Sequence, residues 1–132
     1  MPDTVEIPAA AIAAMLAHAE HDAPHEACGL LIGAGRAVVR VVSTSNADAS
    51  PTRYTIPAEQ HFQALRQARA EGLEVVGAYH SHPCGPAEPS PTDAATAFAG
   101  FVFVIAGLVP EPHLRAWQLA GGNFVELRLV RT

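Results

Sequence analysis

Charge and cysteine are both scarce in this chain of 132 residues. Charged side chains make up 16% of it, the formal net charge is -5 and no basic cluster occurs, which argues against nucleic acid as the main partner. Its two cysteines form no framework of spaced pairs, so a disulfide scaffold is excluded and a reducing cytoplasm is the expected setting. No apolar run approaches the ~20 residues of a membrane span. Met1-Pro2-Asp3-Thr4-Val5-Glu6 has no basic region leading into an apolar one, so neither a membrane partner nor a signal peptide is expected. Internal repeats and long linkers are missing too, and one domain over 1–132 is expected. A chain of this size buries roughly two thirds of its unfolded surface, enough for a core without metal or disulfide.

What the chain does have is His80-Ser81-His82-Pro83, directly after the apolar run Leu73 to Tyr79. In extended backbone, residues two apart point to the same side, so His80 and His82 offer two imidazoles to one ion just beyond a strand end. Zinc favours four tetrahedral ligands, and a catalytic zinc takes three from protein and keeps one position open. Asp93 is the natural third. Between His82 and Asp93 lie ten residues with four prolines and a glycine, which turn the chain back without regular structure. Ser90-Pro91-Thr92-Asp93 also reads as a plain helix start, with serine at the N-cap and proline first. That explanation accounts for Ser90 and Asp93 but not for the histidines upstream.

Along the chain, Pro8 opens a helix over about 8–21 with an apolar stripe of Ile12, Met15, Leu16 and Ala19; His18 and His21 are expected at its surface. Glu26 to Gly33 leads into a short apolar strand, Gly33-Ala34-Gly35 turns, and 36–43 returns with Ala37, Val39 and Val41 on one face. Residues 44–52 are a polar connection. Pro57 opens a second helix, carrying Phe62 and Leu65 inward and ending at Gly72. After the Leu73–Tyr79 strand, in which Gly77 allows close backbone approach, an Ala-rich helix is expected to about Ala99. Strands then follow over 101–108, 113–119 and 124–130, the last with Val125, Leu127 and Leu129 on one face. The class is α/β, a mixed sheet with flanking helices.

Glu26 followed by Cys28-Gly29, then His80-Ser81-His82-Pro83, six residues, and Ser90-Pro91-Thr92-Asp93 resembles the JAMM (MPN-plus) metallopeptidase family in its compact prokaryotic form. The resemblance covers nearly the whole chain, and no motif position is missing. It implies an α/β fold similar to cytidine deaminase, zinc held by His80, His82 and Asp93, Glu26 as the acid-base and Ser90 as a donor to the oxyanion. It also implies a peptidase or isopeptidase acting after the Gly-Gly tail of a ubiquitin-like, sulfur-carrier type of protein. Segments that would position a second ubiquitin find no room here, so polyubiquitin is not the expected substrate. The competing classes are a metal-holding interaction scaffold with little turnover and a zinc deaminase. The deaminase would need His-x-Glu with a later Cys-x-x-Cys, and neither occurs. The zincin pattern fails because His25-Glu26 has no second histidine. Cys28 and Cys84, each two residues from a proposed site residue, are expected near the metal, either as a small buried residue and a loop residue or as a redox pair. A homodimer is kept open as an assembly.

Overall fold

Seven strands alternate with three helices in a computed structural model that describes residues 3–96 and 100–132. In chain order these are β1 (Thr4–Ile7), α1 (Ala9–Asp22), β2 (Cys28–Ala34), β3 (Ala37–Thr44), α2 (Ala58–Ala70), β4 (Glu74–His82), α3 (Pro91–Thr96), β5 (Val102–Gly107), β6 (His113–Ala120) and β7 (Asn123–Arg131). The strand order β1-β3-β2-β4-β5-β6-β7 closes on itself through β1, which runs parallel to both β7 and β3. The sheet is mixed: β4 and β5 are parallel, while the β2–β3, β2–β4, β5–β6 and β6–β7 pairs are antiparallel. Gly77 lets β5 come close to β4, because a Cβ there would collide with the Val102 carbonyl.

Two apolar clusters hold the layers. One joins Val5, Ile7, Ala11 and Met15 to Leu31, Val76, Tyr79, Val104 and Leu127, so α1 covers that face. The other joins Leu30, Ile32, Val75 and Ala78 to Ala64 and Ala68 of α2. Successive residues of β2 therefore serve opposite clusters, as the pleat requires.

Several expectations are corrected here. β1 had no place in the reading of the sequence, since four residues carry too little pattern, and Pro8 lies just before the helix rather than opening it. Of the expected stripe of α1, Met15 and Ala19 are buried and Ile12 packs partly buried against the core, and Ala11 joins them. His18 is not a surface residue: its side chain is 16% exposed and bonds Tyr79. On α2 the small Ala64 and Ala68 face inward with Leu65 partly buried beside them, while Phe62, on the other side of the helix, is 59% exposed. Val39 is 52% exposed because a bulge opposite Ile32 and Gly33 makes it the extra residue of β3. Val125, expected with the core-facing side of the last strand, is 44% exposed. The expected extension of α3 over 97–99 lies outside the described residues.

Candidate metal centre and active site

β4 is longer than the sequence suggested and runs through His82, so the histidines are not beyond a strand end but within it, held on both sides by β2 and β5. Cys28 pairs with His80. Continuing that antiparallel register sets Ala27 against Ser81 and Glu26 against His82, so Glu26, His80 and His82 share one face. Two bonds secure the continuation. Ser81 N–H donates to the Ala27 carbonyl (3.0 Å), and Ala27 N–H donates to Ser81 Oγ (2.8 Å). The residue between the two histidines, pointing away from them, thus fixes the glutamate beside them.

Asp93 arrives from the N-terminus of α3. Ser90 caps it: Asp93 N–H donates to Ser90 Oγ (3.1 Å) and Ser90 N–H donates to Asp93 Oδ2 (2.8 Å), a reciprocal pair that closes the turn. The Asp93 carboxylate then sets Oδ1 3.0 Å from His80 Nε2 and Oδ2 3.1 Å from His82 Nε2. Ligand atoms of the three residues all lie within 4.8 Å of one another.

The donor set fits a metal ion. His80 is 1% exposed, and neither of its ring nitrogens has a hydrogen-bond partner, the 3.0 Å approach to Asp93 having the distance of a hydrogen bond but not its direction. A buried polar group left so costs about 1–3 kcal/mol. Burial outweighs the Asp93 carboxylate and pushes the His80 imidazolium below its ordinary pKa, so the ring is neutral and its lone pair available. For His82, burial works downward, but Asp93 and the Pro86 carbonyl on Nδ1 (2.9 Å) outweigh it and raise the ring. Burial would raise Asp93 likewise, yet the two imidazoles and the Ser90 N–H hold it well below the usual carboxylate range. Two imidazoles and one carboxylate are ligands that zinc accepts.

Glu26 is 3% exposed, and its Oε1 has no partner. Burial pushes its carboxyl up to about 7, against a lowering by His82 and with a smaller push from Asp93. A cleft of about 220 Å³ opens beside it, lined by Glu26, Pro51, Thr52, His82, Pro83, Cys84, Gly85 and Ser90. His80 and Asp93 lie beneath this cleft, and His82 is the histidine that reaches it.

Other residues of the site escaped the sequence reading. Tyr54 stacks on His80 with ring centroids 4.5 Å apart. Asn46 Nδ2 donates to the Glu26 carbonyl (3.1 Å) and the Arg53 carbonyl (2.9 Å), while its Oδ1 accepts from Asp48 and Thr55 N–H. The signal for Tyr54 was one aromatic in a polar connection; Asn46 looked like any turn residue. Cys28 is buried, with its thiol on Thr44 Oγ1 and the Ser45 carbonyl, and Cys84 is exposed in the cleft wall; both are free thiols.

Known proteins resemble this chain in sequence and fold. The sequence model of the family described as prokaryotic homologs of the JAB domain matches residues 8–120. A Thermus thermophilus protein named "Probable TtuB-protein conjugate cleaving protease" is 39% identical over 84% of this chain and 73% of its own length. The desampylase of Haloferax volcanii is 34% identical over 86% of both chains, and the CysO-cysteine peptidase of Mycobacterium tuberculosis is 32% identical over 86% of this chain and 81% of its own. A solution structure from Desulfitobacterium hafniense has a TM-score of 0.89 at 29% identity, covering 98% of this chain and 93% of that one. A JAB1/MPN domain protein from Archaeoglobus fulgidus shares the fold at a TM-score of 0.62 and 22% identity, covering 96% of this chain and 97% of that one. With a matching family model over most of its length and peptidase relatives above 30% identity, this chain belongs to the prokaryotic JAB-domain (JAMM) family.

Proposed function

We propose that this chain is a zinc-dependent peptidase or isopeptidase that hydrolyses the bond following the C-terminal Gly-Gly of a ubiquitin-like, sulfur-carrier type of protein, in the cytoplasm. The observation that carries the reading is His80, a buried neutral imidazole without a hydrogen bond, set against Asp93 with Glu26 on the same face. Zinc held by His80, His82 and Asp93 would supply the Lewis acidity that turns water into a nucleophile near neutral pH and polarises a carbonyl.

The chain's own groups do the rest. Glu26 stands outside the ligand set, and its carboxylate, whose affinity for a proton burial raises, would accept a proton from water and give it up again. It returns that proton to the departing amine, which cannot leave as an anion. Ser90 Oγ accepts from the Asp93 N–H, which leaves the hydroxyl proton to donate toward negative charge growing on the carbonyl oxygen. One such donor is worth roughly 10²–10³ in rate. Prolines 51 and 83 wall the cleft, which suits a tail without Cβ atoms more than a bulky one. The names of the peptidase relatives support the substrate class.

Elemental analysis and cleavage assays test this together. About one zinc per chain is expected, lost in His80→Ala and in His82→Ala, because two ligands do not close a site. Zinc retained in both variants removes the metal assignment. Replacing either tail glycine of a ubiquitin-like substrate by valine should slow cleavage at least tenfold, about 1.4 kcal/mol of barrier. Equal rates on Gly-Gly and Val-Val tails would leave a general zinc peptidase.

A further inference from the structure

His82, Gly107 and His113 form one row across three strands: Gly107 pairs with His82 on β4 and with His113 on β6. The loop after His82 folds back over this row. His82 Nδ1 lies 2.9 Å from the Pro86 carbonyl, and one residue on, the Ala87 N–H donates to His113 Nε2 at 3.1 Å. The tautomer of His113 follows from its partners. Nε2 accepts from an amide, so Nδ1 carries the proton and donates to the Glu111 carbonyl (2.8 Å). Trp117, on the same face of β6 as His113, donates its indole N–H to the Ala87 carbonyl at 3.0 Å, so both backbone polar groups of Ala87, one from each of its two peptide units, are claimed by β6. Ala87 itself is 0% exposed. Gly107 leaves the gap that the loop fills: a Cβ there would come 2.5 Å from Ala87 N and 2.7 Å from the Pro86 carbonyl carbon. Arg115, between the two on β6, adds an exposed contact of 3.1 Å to Glu88, worth little by itself.

This geometry has a consequence for the metal site. A carbonyl can only accept, so a Pro86 carbonyl held against His82 Nδ1 requires a proton on that nitrogen and assigns Nε2, the atom facing Asp93, to the ligand role. The Pro86 carbonyl and the Ala87 N–H belong to one planar peptide unit, so holding the N–H on His113 fixes the direction of the carbonyl. We propose that His113 and Trp117 are positioning residues for the metal site: by seating the Ala87 peptide over Gly107 they aim the Pro86 carbonyl at His82 and so determine which ring nitrogen His82 presents. The proposal rests on the zinc reading above, and it places the control of that site on a strand that contributes no ligand to it.

The test uses the whole chain with two measurements, zinc affinity by competition with a chelator and hydrogen exchange of the Ala87 amide in the metal-free protein. The variants are His113→Leu and Trp117→Phe, which keep bulk and remove one bond each, and Gly107→Ala, which fills the gap. Leu129→Ala on β7 is the control, lowering stability without touching the loop. Expected is faster Ala87 exchange with zinc binding weakened about 10–100-fold in the three variants, and affinity within about twofold of wild type in the control. Two results overturn the proposal: unchanged Ala87 exchange in both His113→Leu and Trp117→Phe, or faster exchange with zinc affinity still at the wild-type value. A wild-type chain that takes up no zinc sinks the metal reading and this role with it, and is told apart from failure of the positioning role alone, in which wild type and variants bind equally.

Discussion

Burial makes Glu26 a destabilising residue once it is ionised. Its carboxyl titrates at about 7 in the folded chain, chiefly because burial disfavours the charged form, against an ordinary value of 4.5. The folded state therefore holds the proton more tightly than the unfolded one. Stability from this source is complete below pH ~4.5 and is lost as pH rises through about 7. Glu26→Gln removes the ionisation, so the metal-free variant should be more stable than wild type above pH 7, by roughly 2–3 kcal/mol, with little difference near pH 4. Denaturant titrations at the two pH values read this, and a constant difference would put the effect elsewhere. The same variant should keep zinc and lose turnover, because an amide matches the shape and cannot take a proton. A variant cleaving at the wild-type rate would make Glu26 a connector residue only. The two thiols should also differ. Burial pushes Cys28 up to about 11, partly offset by its bond to Thr44, so at pH 7.5 an alkylating reagent should label the exposed Cys84 and spare Cys28 in the native chain. Equal labelling of both would mean that the β2–β3 end opens freely.

Among the elements, the connection between β3 and α2 does more than join them. Asn46 ties it to the Glu26 carbonyl by its amide NH2 and organises the turn by its oxygen, and Glu26 N–H in turn donates to the Ser50 carbonyl (2.8 Å). Asn46→Ala should cost about 2 kcal/mol of stability through several lost bonds. Asn46→Asp is the more informative change. It keeps the oxygen that accepts from Asp48 and Thr55 and loses the donor to the Glu26 and Arg53 carbonyls, so the turn made by the oxygen should persist while the hold on Glu26 loosens and kcat falls. If both variants cleave at the wild-type rate, the backbone of Glu26 is held well enough by Ser50 and Ser81. Tyr54, carried by the same connection, covers His80 with its ring and excludes water from one side of it.

For the whole molecule, closure depends on its shortest strand. Val5 and Ile7 are 0% exposed, and β1 bridges β7 and β3, elements at opposite ends of the chain. Ile7→Ala should lower unfolding free energy by about 2–5 kcal/mol, as other buried large-to-small changes do, with the denaturant slope unchanged. Its zinc affinity should match wild type, since β1 contributes no ligand. A loss below ~1 kcal/mol would show that the cavity collapses and closure is not what β1 supplies. Among the described residues no helix is long and apolar enough to cross a membrane.

The candidate ligands could be singled out in the sequence because their spacing is local. His80 and His82 share a face by the period of a strand, and Ser90 to Asp93 close one turn of backbone, so both halves follow from residues near each other. The strand patterns of 73–79 and 101–108 were readable for the same reason, though β4 runs on through His82. Glu26 could be singled out only by resemblance, for what sets it opposite His82 is the pairing of Cys28 with His80 across fifty residues of chain. Tertiary structure alone decided the rest. The face that α2 turns to the sheet carries Ala64 and not Phe62, a bulge turned Val39 outward, and the row His82–Gly107–His113 brought a histidine from β6 to the loop behind the candidate ligands. Such contacts join residues whose separation along the chain carries no period, and only a folded sheet gives them a common place.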